Sequence, residues 1–425
     1  MQAIKRVGKA FICRILEHQV KRLRRRHEFK IVAVAGSVGK TSTKLAIAKT
    51  LAASQHVIYQ DGNYNDRLTV PLVLFGHSEP GIFNVFAWIR IIFSNGRVIR
   101  GDYPYKYAVL ELGTDAPGSM SKFAYLKPEV VVLTAIAAEH MEYFKTLQGV
   151  ADEELAVFNY AQQILVNVDD VSESYLKGRE YLTFSISDKS DFYAHNIKSE
   201  ALKGSTFSAH LPNNEDLRIQ SRTMGLQGIK ISLAAVAATH LLGISPYDII
   251  NGVAAVEPVA GRLRVLRGIK ASTIIDDSYN ASPTAVEAGL DILYSLKSDQ
   301  RIAILGSMNE LGDFSAEAHR EVGSYCDPAK LSLVVTIGAE AEQNLAPAAI
   351  KAGCSVKSFQ SPYDAGLFVV EQVDAKDTLI LAEGSQNRIF TEEAVKLLLA
   401  DKNDASKLVR QSGYWLGIKA RQFPH

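Results

Sequence analysis

Near its start the chain passes from an apolar run, Ile31-Val32-Ala33-Val34-Ala35, into Gly36-Ser37-Val38-Gly39-Lys40-Thr41-Ser42-Thr43 and then into a helix-forming stretch, Lys44 to Leu51. A buried strand that delivers the chain to a glycine turn and then to a helix N-terminus builds an anion cradle. Backbone N–H groups close around the anion at the positive end of the helix dipole. In such a cradle Lys40 neutralises terminal phosphates and Thr41 offers its hydroxyl to Mg²⁺. The longer consensus spacing has a glycine where this chain has Val34, so the match is to a shorter Gly-x-x-Gly-Lys-Thr form. The strand-loop-helix context carries the assignment of Gly36, Ser37, Val38, Gly39, Lys40, Thr41 and Ser42 as a nucleotide phosphate loop. The plain alternative is a Gly/Ser helix cap that happens to hold a lysine.

The rest of the chain must supply what one loop cannot. With 425 residues, 47% hydrophobic and 22% charged, it has room for two or three domains with their own cores. A net charge of +1 argues against a surface built for nucleic acid. Cys13, Cys326 and Cys354 are odd in number and far apart, so neither a disulfide framework nor a zinc spacing is expected. That fits a reducing, cytoplasmic setting. No apolar run reaches the ~18 residues that span a bilayer, and the N-terminus lacks the uninterrupted core of a signal peptide. A monomer is expected.

Charge is uneven along the chain. From Met1 to Lys30, Ile4, Val7, Phe11, Ile15 and Leu16 fall at helical spacing among many basic residues, ending in Lys21, Arg22, Arg24, Arg25 and Arg26. Residues 1–29 are therefore expected to form a basic amphipathic helix that packs its apolar stripe on the next domain. Contact with an anionic membrane surface or with a protein is the alternative. From Lys30 onward strands and helices alternate, the pattern of a mostly parallel sheet covered on both faces. Strands are expected at Ile31 to Ala35, Tyr107 to Leu112, Val130 to Ala135 and Ile164 to Val168. Short alternating pieces between Asp191 and Arg222 predict antiparallel β-structure, and an alanine-rich helix follows over Ile229 to Leu242. Glu257-Pro258-Val259-Ala260-Gly261 reads as a linker. A second α/β region follows, with strands at Ser272 to Asp276, Arg301 to Leu305, Leu333 to Ile337 and Thr378 to Ala382. The expected fold is thus α/β: a P-loop ATPase-type central domain over 30–258 and a Rossmann-like domain over 259–425.

Chemistry in such sheets gathers at the C-terminal ends of the strands. Tyr107-Ala108-Val109-Leu110-Glu111-Leu112-Gly113 puts a carboxylate inside an apolar strand, which is costly unless a cation compensates it. Glu111 is therefore a candidate Mg²⁺ ligand. The next strand leads into Thr134 to Glu142, which contains His140.

The order of several segments is specific. The loop Gly36 to Ser42, Glu111 to Gly113, Thr134 to His140, Gly261-Arg262, Asp276-Asp277-Ser278-Tyr279-Asn280-Ala281-Ser282-Pro283 and Leu305-Gly306-Ser307-Met308-Asn309-Glu310-Leu311-Gly312 stand in the sequence seen in the Mur ligases. Asn63-Tyr64-Asn65-Asp66 followed by Val70-Pro71-Leu72 resembles the asparagine-rich segment of that family's last-acting member. The resemblance implies ATP-dependent amide ligation through an acyl phosphate, with a carboxylate and an amine as substrates and two Mg²⁺ ions. It implies that Lys40 acts on the β/γ-phosphates, that Thr41 and Glu111 hold the first ion, and that His140 helps hold the second. Arg262 and Asp276, with Tyr279 and Asn280 beside them, are implied to reach the nucleotide from the C-terminal domain.

Departures from the family pattern are equally informative. Only thirty residues precede the strand that leads into the loop, where the family has a uridine-nucleotide domain, so that domain is expected to be missing or replaced. Where the family has a carbamylated lysine fourteen residues after the histidine, this chain has Glu154, implied to bind the second ion directly. Substitution of Glu153, about 100° away round a helix, is expected to have a much milder effect than substitution of Glu154. The alternative is that the run Asp152-Glu153-Glu154 is a solvated helix start. The family's Lys-Gly-Ser reads Glu383-Gly384-Ser385, and no asparagine for adenine is evident in Gly225 to Lys230. The expected acceptor is a peptidoglycan-precursor-type carboxylate, with an amino acid or dipeptide as the amine. A folylpolyglutamate-synthetase-like ligase and a nucleotide-binding regulatory ATPase are the alternatives.

Overall fold

The computed structural model describes residues 2–60, 65–114, 116–138, 141–187, 189–374 and 377–424, with the side chains of 2–7 and of 142 outside the description. The chain divides into two compact units, Met1–Glu257 and Pro258–His425.

The first unit is built on a nine-stranded sheet. Its strands are β1 (Lys30–Ala35), β2 (Val57–Tyr59), β3 (Tyr107–Glu111), β4 (Val130–Leu133), β5 (Gln163–Asn167), β6 (Leu182–Ser185), β7 (Phe192–Ser199), β8 (Ser205–His210) and β9 (Asp216–Ser221). In space they run β2-β3-β1-β4-β5-β6-β7-β8-β9. Pairing is parallel from β2 through β7, and β7-β8-β9 form an antiparallel meander. Parallel strands need long crossovers that cover both faces, so their central residues are apolar without alternation, as the buried run Ile31 to Ala35 illustrates. One face packs on the helix following the glycine loop and on the helix Gly225–Leu241, through Ala46, Ile47, Leu51, Leu233 and Val236. The other face packs on Val20, Leu23, Val70, Leu74, Phe123 and Val150.

The basic segment is a helix, α1 (Gln2–Arg26). The glycine loop feeds α2 (Lys40–Ala52), and two further helices follow, α3 (Thr69–Leu74) and α4 (Val85–Arg100). The expected stripe through Phe11 is corrected. Leu16 is buried, but the stripe continues through Cys13, Val20 and Leu23, while Phe11 is exposed. The reason is that α3 and α4 together form the floor, with Leu68, Leu72, Trp88 and Ile91 accepting Cys13 and Leu16. The floor lies some fifty to eighty residues away in the chain, where the helical spacing of α1 cannot register it.

The second unit holds six strands: β10 (Arg264–Arg267), β11 (Thr273–Asp277), β12 (Gln300–Gly306), β13 (Leu333–Ile337), β14 (Val356–Phe359) and β15 (Thr378–Glu383). Their order is β10-β11-β15-β12-β13-β14, all parallel except the edge strand β10. Ile274, Ile302, Ile304, Val335 and Ile380 form its core with Val369, Val395 and Leu398 from the covering helices.

Candidate functional site

The loop after β1 takes the shape its glycines permit. Gly36 has φ +119°, and a Cβ there would meet Thr134 Oγ1 at 2.5 Å and Ala135 N at 2.8 Å, so only glycine lets the loop pass β4 this closely. Gly39, at φ +83°, turns the chain into α2 in a left-handed conformation. Ser37 N donates to Ala135 O (2.8 Å), and Ala137 N donates to Ser37 Oγ (3.0 Å). These bonds tie the loop to the segment that follows β4. The Lys40 ammonium lies over the loop on the carbonyls of Gly36 and Ser37. Ser37, Val38, Gly39, Lys40 and Ser42 are half-buried, so the loop keeps an accessible face.

Glu111 ends β3 beside the loop because β3 pairs directly with β1, Val34 opposite Glu111. It is buried, and its environment answers the cost of placing a carboxylate there. Thr41 Oγ1 donates to Glu111 Oε2 (2.9 Å), Asn65 Nδ2 donates to Oε1 (3.1 Å), and Lys44 Nζ stands 3.4 Å from Oε2. Gln60 pairs with both the N–H and the carbonyl of Glu111. The structure therefore brings Lys40, Thr41 and Glu111 together. Lys44, Gln60 and Asn65 complete this cluster; Asn65 comes from the asparagine-rich segment, while no motif marks Lys44 or Gln60. The one available signal for Lys44 is a lysine on the fully buried side of an apolar helix, where a partner is required.

A hydroxyl and a carboxylate oxygen are the hard donors that Mg²⁺ prefers, and this ion commonly fills its other positions with water and phosphate oxygens. Thr41 and Glu111 fit one such ion. Among the described residues no group of three His, Cys, Asp or Glu side chains gathers to hold a metal by itself. His140, expected at a second ion, lies outside the described residues, as do Asn63 and Tyr64.

The acidic run ends the helix Leu147–Glu154 and is solvated only in part: Asp152 is exposed, but Glu153 and Glu154 are both buried. Glu154 lies beneath the loop, its Oε2 accepting from Gly36 N (2.7 Å). Glu153 points elsewhere, as its helical position requires, and has a structural task of its own. It accepts from Thr114 Oγ1 (3.1 Å), Gly118 N (2.6 Å) and Met120 N (2.6 Å), clasping the segment that follows β3. On the far side of the loop, Lys230 Nζ pairs with Asp170 (2.8 Å). Asn167 Nδ2 joins Asp170 Oδ2 (2.7 Å) to Thr134 O (2.9 Å).

A cleft of about 450 Å³ opens beside Gly113. Its wall includes Lys9 and Cys13 from α1, together with Asp66, Arg67 and Lys122. Lys9 pairs with Asp66 (2.8 Å) and Arg67 with Glu17 (2.5 Å), so α1 is fastened to this cleft by ion pairs. Burial pushes the Cys13 thiol up to about 11, leaving it protonated and unsuited to nucleophilic work.

In the second unit the expected residues cluster after β11. The guanidinium of Arg262 stacks on the Tyr279 ring (4.4 Å to its centre), and Tyr279 N donates to Gly261 O (3.0 Å). Asn280 Oδ1 accepts from Gln386 N (3.3 Å), linking this segment to the turn after β15. Asp276 is fully buried. Its Oδ1 accepts from Ser278 Oγ (2.5 Å) and N (3.2 Å), while Oδ2 has no hydrogen-bond partner among the described residues. Burial, only partly offset by Ser278, pushes its carboxyl up to about 6. Asp277 and Glu383 lie opposite each other on β11 and β15. Burial raises both carboxyls, Glu383 well above its usual range, because two acids share one enclosed space with Arg262 as the nearby cation. Arg410 holds the segment from outside: it donates to Tyr279 O (2.8 Å) and Ser278 O (2.6 Å) while forking onto Glu392. It lies 131 residues from Tyr279, and no local pattern marks it.

Two family models match the chain: the Mur ligase middle domain over residues 98–239, and the Mur ligase glutamate ligase domain over residues 261–385. The phosphate loop precedes the first of these matches, so its assignment rests on its own geometry. A UDP-N-acetylmuramoyl-tripeptide–D-alanyl-D-alanine ligase of Bacillus subtilis is 27% identical over 317 residues, covering 73% of this chain and 63% of its own length. The ligase of the same name from Haemophilus influenzae is 28% identical over 396 residues, 90% of this chain and 79% of its own length. A crystal structure of MurF from Acinetobacter baumannii superposes with a TM-score of 0.73 at 22% identity, over 90% of this chain and 79% of that one. This chain thus spans just under two thirds of the Bacillus subtilis relative, and the structural likeness establishes the fold.

Proposed function

The chain belongs to the Mur ligase family, with that family's middle and C-terminal domains, and from this premise we propose that it is an ATP-dependent amide ligase. Its acceptor is a peptidoglycan-precursor-type carboxylate and its amine an amino acid or dipeptide. The observation that carries this reading is the cluster at the mouth of the loop: Lys40 over the loop carbonyls, and Thr41 Oγ1 2.9 Å from Glu111 Oε2.

The reaction joins two anions before it forms an amide. A carboxylate oxygen of the acceptor attacks the γ-phosphorus of ATP, the bond to the β-phosphate oxygen breaks, and ADP leaves. The amine nitrogen then attacks the acyl carbon, phosphate leaves, and the nitrogen loses a proton. Lys40 exchanges the carbonyls of Gly36 and Ser37 for phosphate oxygens and offsets charge that builds in the first step. The N–H groups at the start of α2 bind the same phosphates. Mg²⁺, held by Thr41 and Glu111, supplies further positive charge at the phosphates when bound. Lys44 and Asn65 fix the Glu111 carboxylate so that it does not swing away from Thr41. Glu154 acts through Gly36, whose N–H it holds, and so sets the loop at its first residue. The second ion implied by the resemblance would be held by His140 and the carboxylate of Glu154, and would supply positive charge near the acyl phosphate. The cleft beside Gly113, with Lys9, Arg67 and Lys122 in its wall, receives the acceptor's anionic groups. In the second unit Arg262, Asp276, Tyr279 and Asn280 serve the nucleotide as one hydrogen-bonded and stacked segment.

Release of phosphate from ATP, measured with UDP-linked muramoyl peptides against a panel of amino acids and dipeptides, tests the reading. Turnover that requires both a muramoyl peptide and an amine is the expected result. Turnover with a folate and glutamate instead would assign a folylpolyglutamate-type acceptor, and no turnover with any carboxylate–amine pair would overturn the ligase reading.

A further inference from the structure

Helices α1 and α4 lie side by side and run the same way: Gln19 Nε2 donates to Ile92 O (2.9 Å), and His27 Nε2 contacts Ile99 O (3.1 Å). Each buries one face against the first unit. On α4 this face is Trp88, Ile91, Asn95 and Ile99. The opposite stripe is exposed and reads Phe86, Arg90, Phe93, Arg97 and Arg100, at spacings of four, three, four and three. Phe86 is 88% exposed and Phe93 71% exposed, with Ile89 and Val85 beside them. The outward stripe of α1 repeats the order: Phe11, Arg14, His18, Arg22 and Arg25 are all exposed. Ile12 packs in the cluster that contains Trp88, so Phe11 lies at the end of the pair that carries Phe86. Both helices therefore present aromatic side chains at one end and arginines towards the other.

Exposed aromatics in this number are unusual on a soluble surface and mark contact with something apolar. The charge around them decides what it is. Helix α1 carries nine Lys and Arg residues and a single acid, Glu17, which is occupied by Arg67. Helix α4 carries three arginines and no acid. Lys9 and Arg24 are paired with Asp66 and Glu129, but Arg14, Arg22, Arg25, Arg90, Arg97 and Arg100 are exposed. A face that combines apolar tips with exposed arginines complements an apolar layer edged with negative charge, and an anionic bilayer surface provides both. No helix among the described residues is long and apolar enough to cross a membrane, so contact would be peripheral.

We propose that α1 and α4 together dock the protein on the surface of an anionic lipid bilayer, with Phe11, Phe86 and Phe93 entering the headgroup region and the flanking arginines meeting lipid phosphates. The proposal does not depend on the ligase reading. The test is flotation of the full chain with vesicles of phosphatidylcholine and phosphatidylglycerol (about 3:1) and with phosphatidylcholine alone, over a range of salt. Binding to the anionic vesicles at least tenfold stronger than to the neutral ones, and weakened by salt, is expected. F86S/F93S should reduce vesicle binding at least tenfold with an unchanged melting temperature, and R90Q/R97Q should flatten the salt dependence. Absence of binding to anionic vesicles at low salt overturns the proposal, as does undiminished binding of the soluble, folded F86S/F93S variant. If the wild type instead forms a concentration-dependent dimer that F86S/F93S abolishes, with vesicles left unbound, the face belongs to a second copy of the chain and lipid docking is refuted.

Discussion

The buried carboxylates beside the phosphate loop and those after β11 are treated in opposite ways. In the first group, Glu111, Glu153 and Glu154 all lie out of solvent, and each meets donors: the Thr41 hydroxyl and Lys44 ammonium, a fan of N–H groups and a hydroxyl, and the Gly36 N–H. In the second, Asp276, Asp277 and Glu383 are equally buried but short of donors, and burial raises all three carboxyls. A carboxylate surrounded by donors is a fixed negative point, suited to hold a hydroxyl, an ammonium or a cation in place. A carboxyl short of donors keeps its proton more readily and makes its surroundings sensitive to pH. The same residue type thus serves a permanent electrostatic frame beside the phosphate loop and a titratable cluster after β11, while Glu392 and Glu393 in the second unit are held by Arg410 and Lys419.

The largest expected effect lies in the frame. Lys40→Ala should lower phosphate release by at least about 10²–10³-fold, the cost of removing a charge that acts on the developing phosphate charge. The melting temperature should stay near that of the wild type, because Lys40 is only half-buried. A folded variant with full turnover would remove Lys40 from the chemistry.

Lys44 should behave differently, and so separate frame from chemistry. Lys44→Met leaves Glu111 buried without its ammonium, a loss of about 3–5 kcal/mol for an uncompensated charge. Urea denaturation should therefore show a marked fall in midpoint. An unchanged midpoint would mean that Thr41, Asn65 and Gln60 suffice to hold Glu111.

The second unit should answer to pH. The Asp276 carboxyl stands at about 6 against an ordinary 3.8, so the folded state holds this proton more tightly than the unfolded chain. Its contribution to stability is complete below about 3.8 and is lost as pH rises through about 6. Asp276→Asn cannot ionise and should be more stable than the wild type above about pH 6, by on the order of 2–3 kcal/mol, with little difference near pH 4. Melting curves of both proteins from pH 4 to 8 read this directly. Parallel curves would show that water or a partner relieves Asp276, and the contrast between the two groups would lose its sharpest member.

The smallest effects concern the acidic pair. Glu153→Gln turns an amide donor towards groups that also donate, and should cost about 1–3 kcal/mol of stability with little change in turnover per folded molecule. Glu154→Gln keeps one oxygen for Gly36 N and should instead slow turnover while leaving stability closer to the wild type. Indistinguishable stability and turnover in the two variants would erase the distinction between a clasp on the loop after β3 and a support under the phosphate loop.

Some of this was legible in the chain because the geometry is local. Gly36 to Ser42 follow an apolar strand and open a helix within one continuous stretch, so the cradle is implied by neighbours a few residues apart. Glu111 announced itself by standing in an apolar strand, where charge demands a partner. The antiparallel pieces after Asp191 were readable from period-two alternation, and they form β7, β8 and β9. Short strands such as β2, β10 and β14 carry too few residues for any period to show, and only their place in a sheet makes them strands.

What each carboxylate does was settled at longer range. The sequence alone determined the alternation of strand and helix, the phosphate loop, the order of the family's segments and the basic charge of α1. Only the tertiary structure decided that Glu153 and Glu154 are buried on different tasks, that Lys44 faces Glu111, that Arg410 steadies Tyr279 from 131 residues away, and that Phe11 faces outward. The physical reason is that helix and turn geometry follow from contacts a few residues apart. The worth of a charge depends on which donors the folded chain brings within about 3 Å, and those come from anywhere in the sequence.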